Sequence, residues 1–162
     1  MQSLDQIDAN RFIIEVTTDV FETMLAINLE SVESPPVHTE FENAKVVGSV
    51  GFAGKIRGAV HVQFGAGFAR TVTGAMLGMD PGELGDDDID DTIGELSNMI
   101  GGGGKSKLCD SGFSCQLSIP TVLRGSQFKM NTKIQDGGFV KEEIFRHAED
   151  TVLLTVSMNT GE

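Results

Sequence analysis

The stretch Gly85–Lys107, with the sequence GDDDIDDTIGELSNMIGGGGKSK, determines how the rest of the chain is organised. If it forms a helix that turns about 100° per residue, its residues separate onto two faces. One face is an apolar stripe made of Ile89, Ile93, Leu96 and Ile100, and the opposite face carries Asp91, Glu95, Asn98 and Gly102. We expect the apolar stripe to dock into a core. The polar face then presents Glu95 and Asn98 as neighbours at i, i+3 spacing.

The same stretch contains four consecutive glycines, Gly101–Gly104. Each glycine inside a helix costs about 1 kcal/mol relative to alanine. Taken alone, the residues therefore favour a helix that ends at this run.

A dense acidic run precedes the apolar stripe, and it consists of Asp86, Asp87, Asp88, Asp90 and Asp91. The run lacks the spacing of a calcium-binding loop and its distal glutamate. Carboxylates at a helix N-terminus are instead stabilised by the helix dipole. We therefore predict no metal site in this run.

Composition limits the possible functions of the chain. The 162 residues predict a single domain spanning 1–162. A formal net charge of −12 argues against binding to nucleic acid or to an anionic membrane surface. The two cysteines, Cys109 and Cys115, form no CxxC motif, so we predict reduced, mostly packed thiols. With no signal peptide and no long apolar run in the sequence, we expect a cytoplasmic protein.

The remaining elements follow from hydrophobic periodicity. Helices are predicted over about residues 8–29, where Asp8 can cap the start, and over 65–77, in addition to the 85–107 stretch. Strands are predicted over residues 46–52, 58–64, 140–145 and 152–158, with looser alternation over 113–123, interrupted by Pro120, and over 128–132. Ser34-Pro35-Pro36 is predicted to follow the first helix as a helix-breaking segment. His61, on the polar side of its strand, is predicted to be solvated.

The polar face of the organising helix resembles a known signature. Asp91-x3-Glu95-x2-Asn98, continuing into Met99-Ile100-Gly101, is similar to the D/S-x3-E-x2-N motif of the CheC/CheX/FliY chemotaxis phosphatases. Leu117–Val122 resembles the LSxPxVV segment that follows this helix in CheX. The first long helix carries no second Glu-x2-Asn, which favours the CheX branch. The resemblance implies an α/β (α+β) fold with long helices on a largely antiparallel sheet, an exposed motif helix and a homodimer.

The chemistry implied by the resemblance depends on a partner. The sequence around Glu95 and Asn98 offers no histidine base, no nucleophile motif and no phosphate-binding loop. In the family, the partner is a phosphorylated CheY-like response regulator, which supplies the aspartyl phosphate, the Mg²⁺ and a lysine. The resemblance then implies that Asn98 positions the attacking water and Glu95 pairs with that lysine, while Asp91 supports the site. This chain is expected to hold no cofactor or metal of its own.

The resemblance also gives the glycine run a second interpretation, in which the helix continues. Gly102 then lies one turn beyond Asn98 and leaves no side chain to obstruct an approaching protein. That hypothesis predicts that Gly102→Leu raises KM without unfolding the protein. Two other functions remain open from the sequence: a module that binds a response regulator or a flagellar or signalling partner without turnover, and a purely structural dimerisation domain.

Overall fold

The computed structural model describes residues 8–32, 44–128, 130 and 132–160. Three helices occur in these residues: α1 (Ala9–Leu25), α2 (Ala66–Leu77) and α3 (Asp86–Asp110). The strands are β1 (Glu30–Val32), β2 (Lys45–Gly54), β3 (Ile56–Gly65), β4 (Cys115–Leu117), β5 (Thr121–Gly125), β6 (Phe139–His147) and β7 (Asp150–Thr160). A short 3₁₀ turn at Pro81–Glu83 joins α2 to α3.

The seven strands form one sheet in the order β1-β6-β7-β3-β2-β4, and β5 also pairs with β2. Every pairing is antiparallel, which confirms the predicted fold class. Strands β4 and β5 share one edge of β2, with β4 opposite Phe52–Gly54 and β5 opposite Lys45–Ser49. The Ser118–Pro120 connection crosses the gap between these two short strands.

The core lies between the three helices and one face of the sheet. Alternate residues of β3 and β7 point into it, as the period-2 pattern predicts; Val60, Val62, Phe64, Val152, Leu154, Val156 and Met158 are all buried. The apolar stripe of α3 packs on the same face, and Ile89, Ile93, Leu96 and Ile100 are buried too. Phe64 stacks on Phe21 of α1 and contacts Phe68 of α2. One sheet face therefore holds all three helices.

The predicted end of α1 was wrong, whereas its start was confirmed. Helix α1 begins after Asp8, whose carboxylate accepts a hydrogen bond from the Arg11 N–H as predicted. It ends at Leu25, four residues earlier than expected, because Ala26 is left-handed, with φ 53°. The apolar residues Ile27 and Leu29 remain buried in the following connection, which is why the periodicity continued past the helix.

The loose alternation over residues 113–123 resolves into two strands, β4 and β5, on either side of a bend at Pro120. In the 128–132 stretch, Phe128, Met130 and Thr132 are not in a strand, and Lys129 and Asn131 lie outside the described residues. The predicted breaker at Ser34–Pro36 also lies outside them. Both cysteines are free, but only Cys115 is buried, whereas Cys109 is exposed. In the described part of the chain, no helix is long and apolar enough to cross a membrane.

Candidate functional site

The polar face of α3 is the solvent-facing side of the helix. Asp91 and Glu95 are exposed, and Asn98 and Gly102 are partly exposed. Successive steps of three or four residues keep these positions on one side, and Ser106 extends the same exposed line by one more turn. The structure thus brings the four residues singled out by the sequence together on one helix face.

The two central side chains of this face are available for contact with another molecule. Within the described part of the chain, the Glu95 carboxylate and the Asn98 amide make no side-chain hydrogen bond or ion pair. In contrast, Ser97, which faces the sheet, donates its hydroxyl to the Ile93 carbonyl at 2.7 Å. An amide and a carboxylate held side by side on a helix, with their polar atoms unengaged, can bind complementary groups of a partner.

Three of the acidic residues at the start of α3 make contacts within the protein. The Gly85 N–H donates to Asp88 Oδ2 at 2.9 Å. Arg124 of β5 reaches across to the helix, with Nε 2.7 Å from Asp90 Oδ1 and Nη1 3.0 Å from Asp86 Oδ2. The hydrogen bond and charge of Asp90, together with Asp86, raise the pKa of Arg124 above its ordinary value. The described residues include no group of three or more side chains suited to hold a metal ion.

Helix α3 continues through the glycine run to Asp110, so the expectation that it ends at Gly101–Gly104 was wrong. The reason is close packing. A Cβ at Gly101 would lie 2.5 Å from Val50 Cγ2, and one at Gly103 would lie 2.7 Å from Val16 Cγ1. These glycines let the helix approach β2 and α1 more closely than any other residue would.

Gly102 differs from its neighbours, because a Cβ at this position would meet nothing within 4 Å. Its backbone is open to solvent directly beyond Asn98 on the exposed face. A larger residue here would therefore project into the space that a partner docked on Asn98 must enter.

The sequence contained a signal for this packing that periodicity of large apolar residues did not reveal. Small residues recur on α3 at helical spacing: Gly94, Ser97, Gly101 and Gly104. All four are buried. They form a second stripe beside the isoleucine stripe, and they allow α3 to lie close against β2, β4 and β5.

The β4–β5 connection runs along one border of the exposed face. Its Pro120 Cγ lies 3.7 Å from the position of a Cβ on Gly94, and Leu117 Cδ1 lies 3.1 Å from that position on Gly101. Between these two contacts, the Ile119 side chain is 87% exposed. The candidate site is thus a polar helix face bordered by an apolar side chain that the sequence reasoning did not single out.

Comparison with known proteins agrees with this architecture. A family model described as chemotaxis phosphatase CheX matches residues 46–142. Among curated proteins, none matches the chain significantly.

Solved structures share the fold. The chemotaxis protein CheX from Vibrio vulnificus has a TM-score of 0.79 at 24% identity, over 94% of this chain and 97% of its own. CheX in the CheX–CheY–BeF₃–Mg²⁺ complex from Borrelia burgdorferi gives a TM-score of 0.72 at 17% identity, over 95% and 99% of the two chains. FliY from Thermotoga maritima gives 0.61 at 16% identity, over 90% and 84%.

The matching family model spans more than half of the sequence and includes the whole of α3. The chain belongs to the CheX family of chemotaxis phosphatases.

Proposed function

We propose that this protein hydrolyses the aspartyl phosphate of a CheY-like response regulator. The observation that carries the proposal is the placement of Glu95 and Asn98 on the exposed face of α3, side by side and without partners in the described part of the chain. Membership of the CheX family supplies the class of reaction. The complex of a CheX with CheY among the structural neighbours supports the class of partner.

Asn98 is the proposed water-positioning residue. A side-chain amide both accepts and donates hydrogen bonds, so it can hold a water molecule in line with the phosphorus atom of the partner. Phosphoryl transfer requires little covalent chemistry from the protein, and positioning of the attacking water provides much of the catalysis. Asn98 is partly exposed, and the inner side of its helix packs against the core. This arrangement suits a group that must enter another protein's active site in a fixed orientation.

Glu95 is the proposed docking residue. Its carboxylate pairs with a lysine of the regulator and thereby sets the register of α3 over the phosphoaspartate. Asp91, one turn earlier on the same face, supports this arrangement, and Gly102 leaves room for the partner. The Mg²⁺ of the reaction is expected on the regulator, and this chain contributes no cofactor of its own.

The proposal predicts a specific effect of Asn98→Ala. Release of phosphate from a phosphorylated CheY-like receiver domain should fall to the receiver's own rate, a loss of about a hundredfold or more, because no group holds the water. The melting temperature should stay close to that of the wild type, since Asn98 makes no side-chain hydrogen bond in the described part of the chain. An assay of phosphate release at a saturating receiver concentration checks the loss of activity. Differential scanning fluorimetry checks the melting temperature.

Ser106→Ala provides the matched control, because Ser106 is exposed on the same helix face two turns beyond Asn98. It should leave the rate unchanged. Wild-type activity in Asn98→Ala would remove the proposed site. A wild-type protein that binds the receiver without releasing phosphate would instead establish the non-catalytic binding module.

The proposal includes the homodimer that the family resemblance implies. Strand β5 supports it, since β5 pairs with β2 on one side and with no other described strand on the other. Its central side chain, Leu123, is 51% exposed. An apolar residue in the middle of an open edge strand is a suitable place for a second copy to pair.

A further inference from the structure

Ile119 is the most exposed large apolar side chain among the described residues, at 87%. Its exposure is not the result of a loose loop. The Ser118 N–H donates to the Gly51 carbonyl at 2.9 Å, and the Gly51 N–H donates back to Ser118 Oγ at 2.8 Å. The Ser118 hydroxyl also donates to the Ile119 carbonyl at 3.1 Å. The backbone on the N-terminal side of Ile119 is therefore fixed to β2.

On the C-terminal side, Pro120 fixes the chain. Its ring lies against the Gly94 backbone of α3, and its φ is restricted by the ring. An isoleucine held between two fixed residues, with its side chain in solvent, gains nothing for folding from its apolar surface. A contact with another molecule would remove that surface from water.

The position of Ile119 along α3 follows from the contacts of Leu117 and Pro120, which lie on either side of it in the sequence. Leu117 lies beside Gly101 and Pro120 lies beside Gly94. At 1.5 Å per residue, Asn98 lies about 6 Å along the helix axis from Gly94, and Gly101 lies about 10 Å from Gly94. Ile119 therefore lies between the levels of Gly94 and Gly101, the span of α3 that includes Asn98, on the flank of the exposed face where these glycines meet the β4–β5 connection.

The charge of this face indicates why an apolar contact is useful there. Asp91 and Glu95 are both exposed beside Asn98, and the chain carries a formal net charge of −12. A phosphorylated protein brings further negative charge to this face, so overall electrostatics oppose the encounter. Burial of an aliphatic side chain contributes affinity that does not depend on charge.

We propose that Ile119 is a docking residue for the phosphorylated receiver domain, in contact with an apolar patch beside the receiver's phosphoaspartate. This inference rests on the proposed function and extends it, because it assigns affinity to Ile119 and turnover to Asn98. Ile119 touches neither the phosphoryl group nor the water, so its loss affects KM and leaves kcat unchanged. The partner is thereby required to offer an aliphatic or aromatic surface next to its phosphorylation site.

The test compares Ile119→Ser with the wild type on a CheY-like receiver domain phosphorylated by acetyl phosphate. KM should rise about tenfold or more, with kcat within about twofold of the wild type. Binding to the same receiver in its beryllium fluoride–Mg²⁺ form should weaken by a similar factor. Ile119→Leu, which keeps the apolar surface, should retain a KM near that of the wild type.

Ile134→Ser is the matched control, because Ile134 is an exposed isoleucine, at 44%, in the connection before β6. It should leave both KM and kcat unchanged. A wild-type KM in Ile119→Ser would overturn the docking role while leaving the proposed function in place, provided that Asn98→Ala is inactive. A wild-type protein that neither binds nor dephosphorylates the receiver would overturn both. A fall in molecular mass of Ile119→Ser by light scattering would also overturn the inference, because Ile119 would then contact a second copy.

Discussion

His61 occupies the middle of the sheet, on β3, on the face opposite the helices. Its Nδ1 lies 2.6 Å from the Ser49 hydroxyl of β2, and Thr155, its neighbour on β7, is buried. The alternation of β3 predicted a solvated histidine; the ring lies on the predicted polar face and is partly exposed, in contact with Ser49. Burial lowers the pKa of the His61 imidazole below its ordinary value, so the folded protein favours the neutral ring.

The depressed pKa of His61 predicts a pH-dependent stability. An unfolded histidine has a pKa of about 6.5. As the pH falls through this value, the unfolded chain takes up a proton at His61 before the folded chain does, so the free energy of unfolding decreases. Thermal melts between pH 7.5 and 5.5 should therefore show a smaller loss of stability in His61→Gln than in the wild type.

Ser49→Ala distinguishes the cause of the shift at His61. Burial is the cause that lowers the pKa, so removal of the serine hydroxyl should leave the pH dependence of the wild type largely in place. Identical slopes for wild type and His61→Gln over this pH range would contradict the assignment of the effect to His61.

At the scale of elements, α3 must satisfy two structural requirements. Its inner side must approach β2 and α1 closely, and its outer side must present polar groups to a partner. Gly101 and Gly103 meet the first requirement, because side chains there would collide with Val50 and Val16. Gly102 lies about 100° around the helix from each of them, faces solvent, and serves the second. Adjacent glycines in one run thus have different physical reasons.

This difference predicts opposite effects of two neighbouring substitutions. Gly102→Ala should raise the free energy of unfolding by about 0.5–1 kcal/mol, since alanine favours the helix and its Cβ meets nothing. Gly101→Ala should lower it by about 1–3 kcal/mol, because its Cβ would lie 2.5 Å from Val50 Cγ2 and 3.1 Å from Leu117 Cδ1. Urea unfolding with an unchanged m-value measures both. Equal effects at the two positions would contradict this account of the glycine run.

The sequence predicted those elements in which one local rule dominates. Helix α2 occupies Ala66–Leu77, close to the predicted range of 65–77, and the buried residues of β7 alternate as their pattern requires. The exposed face of α3 also followed from spacing alone. The course of α3 past Gly101 could not be predicted from helix propensity, because tertiary contact overrides propensity there; only the family resemblance allowed for it. The border of the site at Ile119 depends on pairing between β4, β5 and β2, which links residues far apart in sequence.

At the scale of the whole molecule, the sheet has an edge that the fold does not cover with described residues. Strand β5 is five residues long, and Leu123 is its central residue. A two-fold axis through the middle of this strand would place one β5 antiparallel to its copy, with Leu123 opposite Leu123. Such a pairing would extend the sheet across both copies and bury the apolar side chain.

Leu123→Lys can test the proposed homodimer. Lysines directly opposite each other across the two-fold axis repel, and a lysine on an edge strand opposes pairing, so light scattering after gel filtration should show the variant as a monomer of about half the wild-type mass. Leu77→Lys is the control, because Leu77 is similarly exposed, at 46%, but lies at the end of α2, and it should leave the mass unchanged. Since each copy carries a formal charge of −12, added salt should favour the wild-type dimer by screening repulsion. A Leu123→Lys protein that keeps the dimer mass would place the interface elsewhere, and a wild-type monomer at all salt concentrations would remove the homodimer from the proposal.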